Sequence, residues 1–405
     1  MNIALVNSEY PSSSGIDHGG IATYTYSMAN ALASRGHTVH VLAKSGTVPD
    51  RLVPGVLFQT FASAPAGGLL RHLDFFGNGQ VIWERSFSRS LLNVLLDLYA
   101  SGQLDIAEIP EYNGLAWEFK GELPFPLVLH LHMPTYLVDK YNGTPVTNQR
   151  QQWYKFEERA TRRARAFVSP SDALKNELVK TWRLPEAKIK VIRHCIDSER
   201  FDRIAIDRAA KKKKDILFVG RLERRKGAEI LLKATKGILS IHPEVHLTVA
   251  GETSLGESLD YRLGIEHTLS ENERERVWFL GPVRPERLPV LYRNSDYFLF
   301  PSLFENAPYA LFDAMAAELP IVAGDTGGVN EIIRHGDNGL LFAPGDADAC
   351  VSCLRSMIEN PAKAQRMAHA AHTDIQTLYS PEAIVNQTID FYQTLVRHTE
   401  KDFGD

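Results

Sequence analysis

Two Rossmann-like, doubly wound α/β domains are what this sequence predicts, and three observations predict them. A chain of 405 residues exceeds what one ordinary hydrophobic core organises. Short apolar runs alternate with amphipathic stretches through both halves, the pattern of buried parallel strands and the helices that cover them. A charged segment at 202–214, ending in four lysines, interrupts that alternation and reads as a linker between residues 1–201 and 215–380.

The first strand falls at 2–7 (NIALVN) and runs into a loop holding Gly15 and the pair Gly19-Gly20. A helix at about 21–34 and a strand at 40–43 complete a βαβ unit. Gly19-Gly20 lets backbone approach a ligand, which in open α/β sheets binds beyond the carboxyl ends of the strands, although a bare glycine pair also serves simply as a turn. The spacing is not GxGxxG, which disfavours a nicotinamide cofactor. A strand at 56–62, a loop at 67–79 and a helix at 80–99, with Val81, Phe87, Leu91, Leu92, Leu95 and Leu98 at helical spacing, come next. Asp105 and Ile106 open a strand ending in a polar turn, whose Glu108, Glu111 and Tyr112 suit either an acceptor or structural capping.

The strand at 126–132 closes on His130 and His132, which period two puts on one face. His132, the last before the loop, is the site candidate, and His130 reads equally as a core or capping histidine. From 149 to 165 a helix carries Glu157, Glu158, Arg159, Arg162, Arg163 and Arg165. Such a run is ordinarily a solvated face with a Glu158–Arg162 pair, and the minority reading is a basic patch facing a membrane or an acceptor. A strand at 166–169, a Ser-Pro-Ser-Asp turn capping a helix from Ala173 and a strand at 189–192 finish the half.

In the second half, strands at 215–219, 245–250, 277–280, 297–301, 320–323 and 339–342 alternate with helices, as a doubly wound parallel sheet requires. The first delivers Gly220-Arg221-Leu222, with Lys226-Gly227 opening the next helix. Two cations five residues apart across a strand-to-helix turn can reach one diphosphate. After the strand at 297–301 a loop carries Glu305, and a helix opens near Pro308 with Asn306 as its cap. That helix start favours an anion, and Glu305 and Asp313 bracket its first turn. A small-residue turn, Asp325-Thr326-Gly327-Gly328, follows the next strand. The set suits a molecule bearing both hydroxyls and phosphates, such as a sugar nucleotide. The last helix, about 381–397, carries Ile384, Ile389, Phe391 and Leu395.

Apolar residues at 44% and charged residues at 23% are ordinary for a soluble globular protein. A net charge of -4 argues against a dedicated nucleic-acid binder, and no aromatic residues interleave the lysine run. Three cysteines make no disulfide framework, so a reducing cytoplasm is the expected home. Cys350 and Cys353 form a CxxC with no second Cys or His pair at ligand spacing, which reads as packing. No apolar run approaches the ~18 residues that span a bilayer, which leaves open a peripheral contact with the inner membrane surface.

Taken together, these motifs resemble the retaining family 4 glycosyltransferases of GT-B fold over nearly the whole chain. The resemblance rests on Gly19-Gly20 after the first strand, His132 in LHLHMPT and the element LFVGRLERRKG at 217–227. It rests most specifically on Glu305 and Asp313, separated by seven residues, and on Gly327, Gly328 and Glu331 in a GG-x-x-E turn. The resemblance implies two Rossmann-like domains facing a cleft, with residues 381–405 packing back on the first. Fixed cations and helix starts stabilise a departing diphosphate without a metal, and no DxD is read in the chain, so neither a metal nor another cofactor is expected.

Residue by residue, it implies that Arg221 and Lys226 grip the donor diphosphate, that Glu305 contacts the transferred sugar and that Asp313 contacts the ribose. Asn306, Ala307 and Tyr309 would line the donor, Gly19-Gly20 and Gly327-Gly328 would offer backbone N–H groups, and His132 would sit by donor sugar and acceptor. A UDP-sugar is favoured by its frequency in the family, and the hydroxyl acceptor, unknown, would belong to glycan, glycolipid or secondary-metabolite biosynthesis. A sugar-nucleotide epimerase or phosphorylase of the same architecture, or a non-catalytic sugar-nucleotide-binding subunit, are the competing readings. Departures from the pattern are Asp313 in place of glutamate, Asn306 and Pro308 in place of glycines, His194-Cys195 in place of Asn-Gly, and Glu318 in place of a helix-ending glycine.

Overall fold

The structure is a computed structural model that describes residues 1–7, 19–44, 52–62, 79–202, 204, 213–252 and 261–403. The glycine-bearing loop ahead of Gly19, nearly all of the loop expected at 67–79 and most of the linker expected at 202–214 lie outside the described residues. Contacts divide the chain into two compact units. One comprises 1–140, 144–195 and 381–405, and the other 141–143 and 196–380.

The first unit is built on seven strands: β1 (Asn2–Asn7), β2 (Thr38–Lys44), β3 (Val56–Phe61), β4 (Ile106–Pro110), β5 (Leu127–His130), β6 (Ala166–Ser169) and β7 (Ile189–Val191). They lie all parallel in the order β3-β2-β1-β4-β5-β6-β7, so the strand order reverses between β1 and β4. β1, β4, β5 and β6 are almost wholly buried, as strands covered on both faces must be, which is why they read as continuous apolar runs.

The second unit repeats the plan with β8 (Lys214–Val219), β9 (Val245–Ala250), β10 (Val277–Gly281), β11 (Tyr297–Phe300), β12 (Ile321–Gly324) and β13 (Leu340–Phe342). Their order is β10-β9-β8-β11-β12-β13, again all parallel, with the reversal between β8 and β11. A Rossmann-like sheet thus stands in each unit, and a ligand crevice in such a sheet opens at the reversal.

Two local expectations are corrected. The helix expected at 149–165 is Asn148–Thr161. Its end is set by Thr161, whose Oγ1 donates to the Glu158 carbonyl at 2.6 Å, and by Arg165, whose N–H donates to Leu127 at 2.8 Å as the chain turns into β6. The expected Arg162–Glu158 pair forms at 3.9 Å, but Glu157 is buried rather than solvated. It accepts the N–H groups of Asn113 and Thr135, each at 3.0 Å. Between β5 and that helix the chain forms a further helix, Thr135–Asn142.

Glu318 closes the helix Tyr309–Ala316 in the left-handed region, at φ 56°, where a residue with a Cβ is strained by roughly 1 kcal/mol. Glu318→Gly is therefore expected to stabilise the protein by roughly that amount. The measurement is a higher urea midpoint at unchanged slope.

At the other edge of the second unit, Glu273 sits in a capping box with Ser270 and accepts Lys236 Nζ at 2.6 Å. These bonds, with Lys236 first, hold its carboxyl at about 2, against an ordinary 4.5. A depressed carboxylate contributes stability above the unfolded pKa and loses it as pH falls through the folded one. The advantage of the native chain over Glu273→Gln should thus be full above about pH 4.5 and vanish near pH 2, read from urea midpoints across that window. No helix among the described residues is long and apolar enough to cross a membrane.

Candidate functional site

In the second unit the chemistry collects at the reversal between β8 and β11. After β8 the chain makes a short 3-10 turn, Arg224–Lys226, and enters the helix Ala228–Ile241. Gly227 makes this possible: its φ is 79°, and a Cβ there would stand 2.0 Å from the Pro301 carbonyl oxygen. The turn is thereby laid against the end of β11, with Leu303 N–H donating to the Arg225 carbonyl at 2.7 Å.

This close approach builds a buried charge cluster. Arg225, 5% exposed, lies between Glu223 and Glu305, each 2.5 Å from its guanidinium. Lys226 Nζ lies 2.6 Å from Glu305 Oε1. Burial by itself would raise the Glu305 carboxyl, but Arg225 and Lys226 outweigh it and hold it below its usual range. Lys226 is lowered, by burial first and by Arg225 beside it, with Glu305 opposing. Two carboxylates and two cations thus meet in one largely buried cluster, at balanced charge.

Glu305 is held from its backbone as well. Gly328 N–H donates to the Glu305 carbonyl at 2.8 Å, and Thr326 Oγ1 to that of Leu303 at 2.7 Å. Gly327, at φ 52°, brings its α-carbon so near that a Cβ would be 2.1 Å from the Glu305 oxygen. Gly328 was expected to offer its N–H to a ligand and instead commits it to this loop.

Asn306 does not cap the following helix: Pro308 occupies the cap position, with no side-chain cap hydrogen bond, and the helix starts at Tyr309. A proline ring fixes the backbone there, so no side chain has to. Asn306 is itself buried, and Ala307 and Tyr309 are half-buried beside the core around Phe312.

Asp313 is buried in that helix and paired with Arg200, with burial raising its carboxyl against the pull of Arg200. Arg221, whose side chain is 60% exposed, stands 3.7 Å from Glu223. Of the expected set, Lys226 and Glu305 meet directly. Glu223, Arg225 and Arg200 escaped sequence reasoning. A buried carboxylate demands a cation, so the neighbours of Lys226 in GRLERRKG were the available signal for Arg225; Arg200 left none. Against the reading that the chain offers no DxD, Asp346-Ala347-Asp348 is one, and Asp346 there caps the helix Ala347–Glu359 through the Ala349 N–H at 2.9 Å.

In the first unit, His130 ends β5 and His132 follows on the loop, their rings stacked at 4.4 Å. His194, unanticipated as a partner, closes on them: its Nε2 is 3.2 Å from His130 Nε2. On the other side of the His130 ring, Nδ1 is 3.3 Å from Glu108 Oε1. Glu108, buried in β4, accepts the hydroxyls of Tyr24 at 2.7 Å and of Tyr392 at 2.6 Å. Burial raises the Glu108 carboxyl, yet His130 and the two tyrosines prevail and leave it lowered. His132 lies well below its ordinary value, through burial and the two neighbouring imidazoles, and is neutral at physiological pH. Its N–H donates to Glu111 Oε2 at 2.8 Å, and burial drives the Glu111 carboxyl up to about 8.

Gly19 is the cap of the helix Gly20–Ser34 and both glycines are exposed. The three cysteines pack: Cys195 and Cys350 are buried, and burial raises the thiols of Cys350 and Cys353.

Residues 18–200 match the model of Glycosyltransferase Family 4, and residues 200–374 that of Glycosyl transferases group 1. The chain is 26% identical to a glycogen synthase of Mycobacterium tuberculosis, over 97% of this chain and 94% of that one. Its fold is similar to sucrose-phosphate synthase from Thermosynechococcus elongatus, with a TM-score of 0.76, 21% identity and 98% and 99% of the two chains covered. It is similar as well to the Anabaena protein HepE in complex with UDP, with a TM-score of 0.71, 18% identity and 98% and 100% covered.

Proposed function

Because the chain belongs to the family 4 glycosyltransferases and has the two Rossmann-like units of the GT-B fold, we propose that it moves a sugar from a nucleoside diphosphate sugar to a hydroxyl acceptor, retaining the anomeric configuration. UDP is the favoured nucleotide, and a UDP-bound structure of the same fold supports that choice. The observation that carries the reading is the buried Glu305, held by Lys226 and Arg225 at the strand-order reversal of the second sheet.

Departure of a nucleoside diphosphate leaves negative charge on its terminal phosphate. Fixed cations and a helix start stabilise such charge with little reorganisation, which suits Lys226, the exposed Arg221 and the helix beginning at Tyr309. No metal is needed for this step. As the sugar passes through an oxocarbenium-like state, Glu305 orients its hydroxyls, and the departing phosphate oxygen takes the acceptor proton. Asp313 serves the ribose, and the loop at Asn306, Ala307 and Tyr309 lines the donor. His132, neutral and half-buried, offers a lone pair to a sugar hydroxyl.

The test is incubation of the full chain with UDP-, GDP- and ADP-sugars, with and without hydroxyl acceptors, reading nucleotide release and product configuration by proton NMR. Acceptor-dependent transfer with retention supports the proposal. An epimerised donor, a sugar phosphate made from inorganic phosphate, or donor binding without turnover would each replace it with the corresponding alternative.

A further inference from the structure

We propose that His130, His132 and His194 form a binding site for a divalent transition-metal ion of the zinc class, separate from the phosphate chemistry of the second unit. Their ligand nitrogens all lie within 4.8 Å of one another, and they are the one such cluster among the described residues. The spacing of the inner pair is informative. With metal–nitrogen bonds of about 2.0–2.1 Å, two imidazoles on a tetrahedral ion stand about 3.3 Å apart, and His130 Nε2 and His194 Nε2 are 3.2 Å apart. His132 sits on the loop after β5, its ring stacked on that of His130 at 4.4 Å.

Around these ligands stands the support that histidine metal sites use. A ligating imidazole ordinarily gives its other ring nitrogen to a carboxylate, which fixes the tautomer and raises ligand basicity. Glu108 takes that place 3.3 Å from His130 Nδ1, and Tyr24 and Tyr392 hold the carboxylate with one hydroxyl on each oxygen. An ion bound there would replace the hydrogen bond that now joins His130 Nε2 to His194 Nε2. A small cavity lined by Tyr24, Glu108, His130 and His132 lies beside two of the three rings. Three imidazoles without a thiolate favour zinc, cobalt, nickel or copper over magnesium or calcium. An ion there occupies the His132 lone pair, so metal binding and any sugar contact by His132 exclude each other.

The experiment titrates chelator-stripped full-length protein with Co²⁺ and then displaces it with Zn²⁺. One Co²⁺ per chain, with the intense visible bands of a tetrahedral site and three imidazoles in the X-ray absorption spectrum, is the expected result. His130→Gln and His194→Gln should abolish the bands, Glu108→Gln should weaken binding about 10–100-fold, and His369→Gln, on an exposed face, should leave it unchanged. Less than one equivalent bound, or bands retained in folded His130→Gln or His194→Gln, overturns the proposal. Should those variants fail to fold by circular dichroism, the imidazole count on the native protein decides, and fewer than three overturns it. None of these readouts depends on turnover, so failure here leaves the glycosyltransferase reading untouched, and failure of that reading leaves this one testable.

Discussion

Replacing Glu305 with glutamine is expected to cut turnover by roughly 10²–10³-fold while leaving a folded protein. The amide keeps the shape of the side chain and loses the charge that balances Arg225 and Lys226, whose guanidinium and ammonium sit 2.5 and 2.6 Å from the same oxygen. With that oxygen neutral, Lys226 no longer has a fixed position from which to meet a phosphate. The effect therefore belongs mainly in kcat, with a smaller change in donor KM. Steady-state kinetics at saturating acceptor checks it. Near-native turnover would remove Glu305 from the reaction altogether, and an equal loss in Glu273→Gln, in the capping box of the second unit, would expose the effect as general destabilisation.

The second large effect is on stability. Arg225→Met should cost about 3–5 kcal/mol, because it strands Glu223 and Glu305 in a turn where both are nearly inaccessible and only Lys226 is left to answer two carboxylates. Urea unfolding of the full chain measures it. Adding Glu223→Gln to Arg225→Met removes one stranded charge, so the double variant should be more stable than Arg225→Met alone, a coupling that a double-mutant cycle isolates. Additive losses would mean that Glu223 and Arg225 act independently, in spite of the 2.5 Å between them.

What the sequence made legible follows from how local each signal is. Parallel strands buried on both faces announce themselves as apolar runs, so β1, β6, β8 and β9 fall within a residue of where the pattern puts them. Lys226 and Glu305 were legible because each sits beside a strand end, where function gathers in such sheets. Arg225 was not: a 3-10 turn rotates it inward while Arg224, one residue earlier, faces solvent, and no helical or strand period predicts that rotation. Arg200 and His194 find Asp313 and His130 across more than sixty residues of chain, a distance at which only the folded arrangement decides. Glu157 looked like one more charge on a polar helix face, and it is instead the acceptor that ties the Asn113 turn to Thr135.

The tyrosine pair on Glu108 has a bearing on how the polypeptide matures during synthesis. Tyr24 is made near the start of the chain, while Tyr392 belongs to the helix Pro381–Phe403, which leaves the ribosome only after all of β8–β13. Domains generally fold as units while synthesis proceeds, but the first unit counts residues 381–405 among its own. Until they arrive, Glu108 has one hydroxyl where it needs two, and the helix Gly20–Ser34 lacks its packing partner from the far end of the chain. The earlier-made unit is thus the later one to be completed, so a nascent chain arrested before residue 381 would carry the strands of both sheets while the first unit still lacked its covering helix.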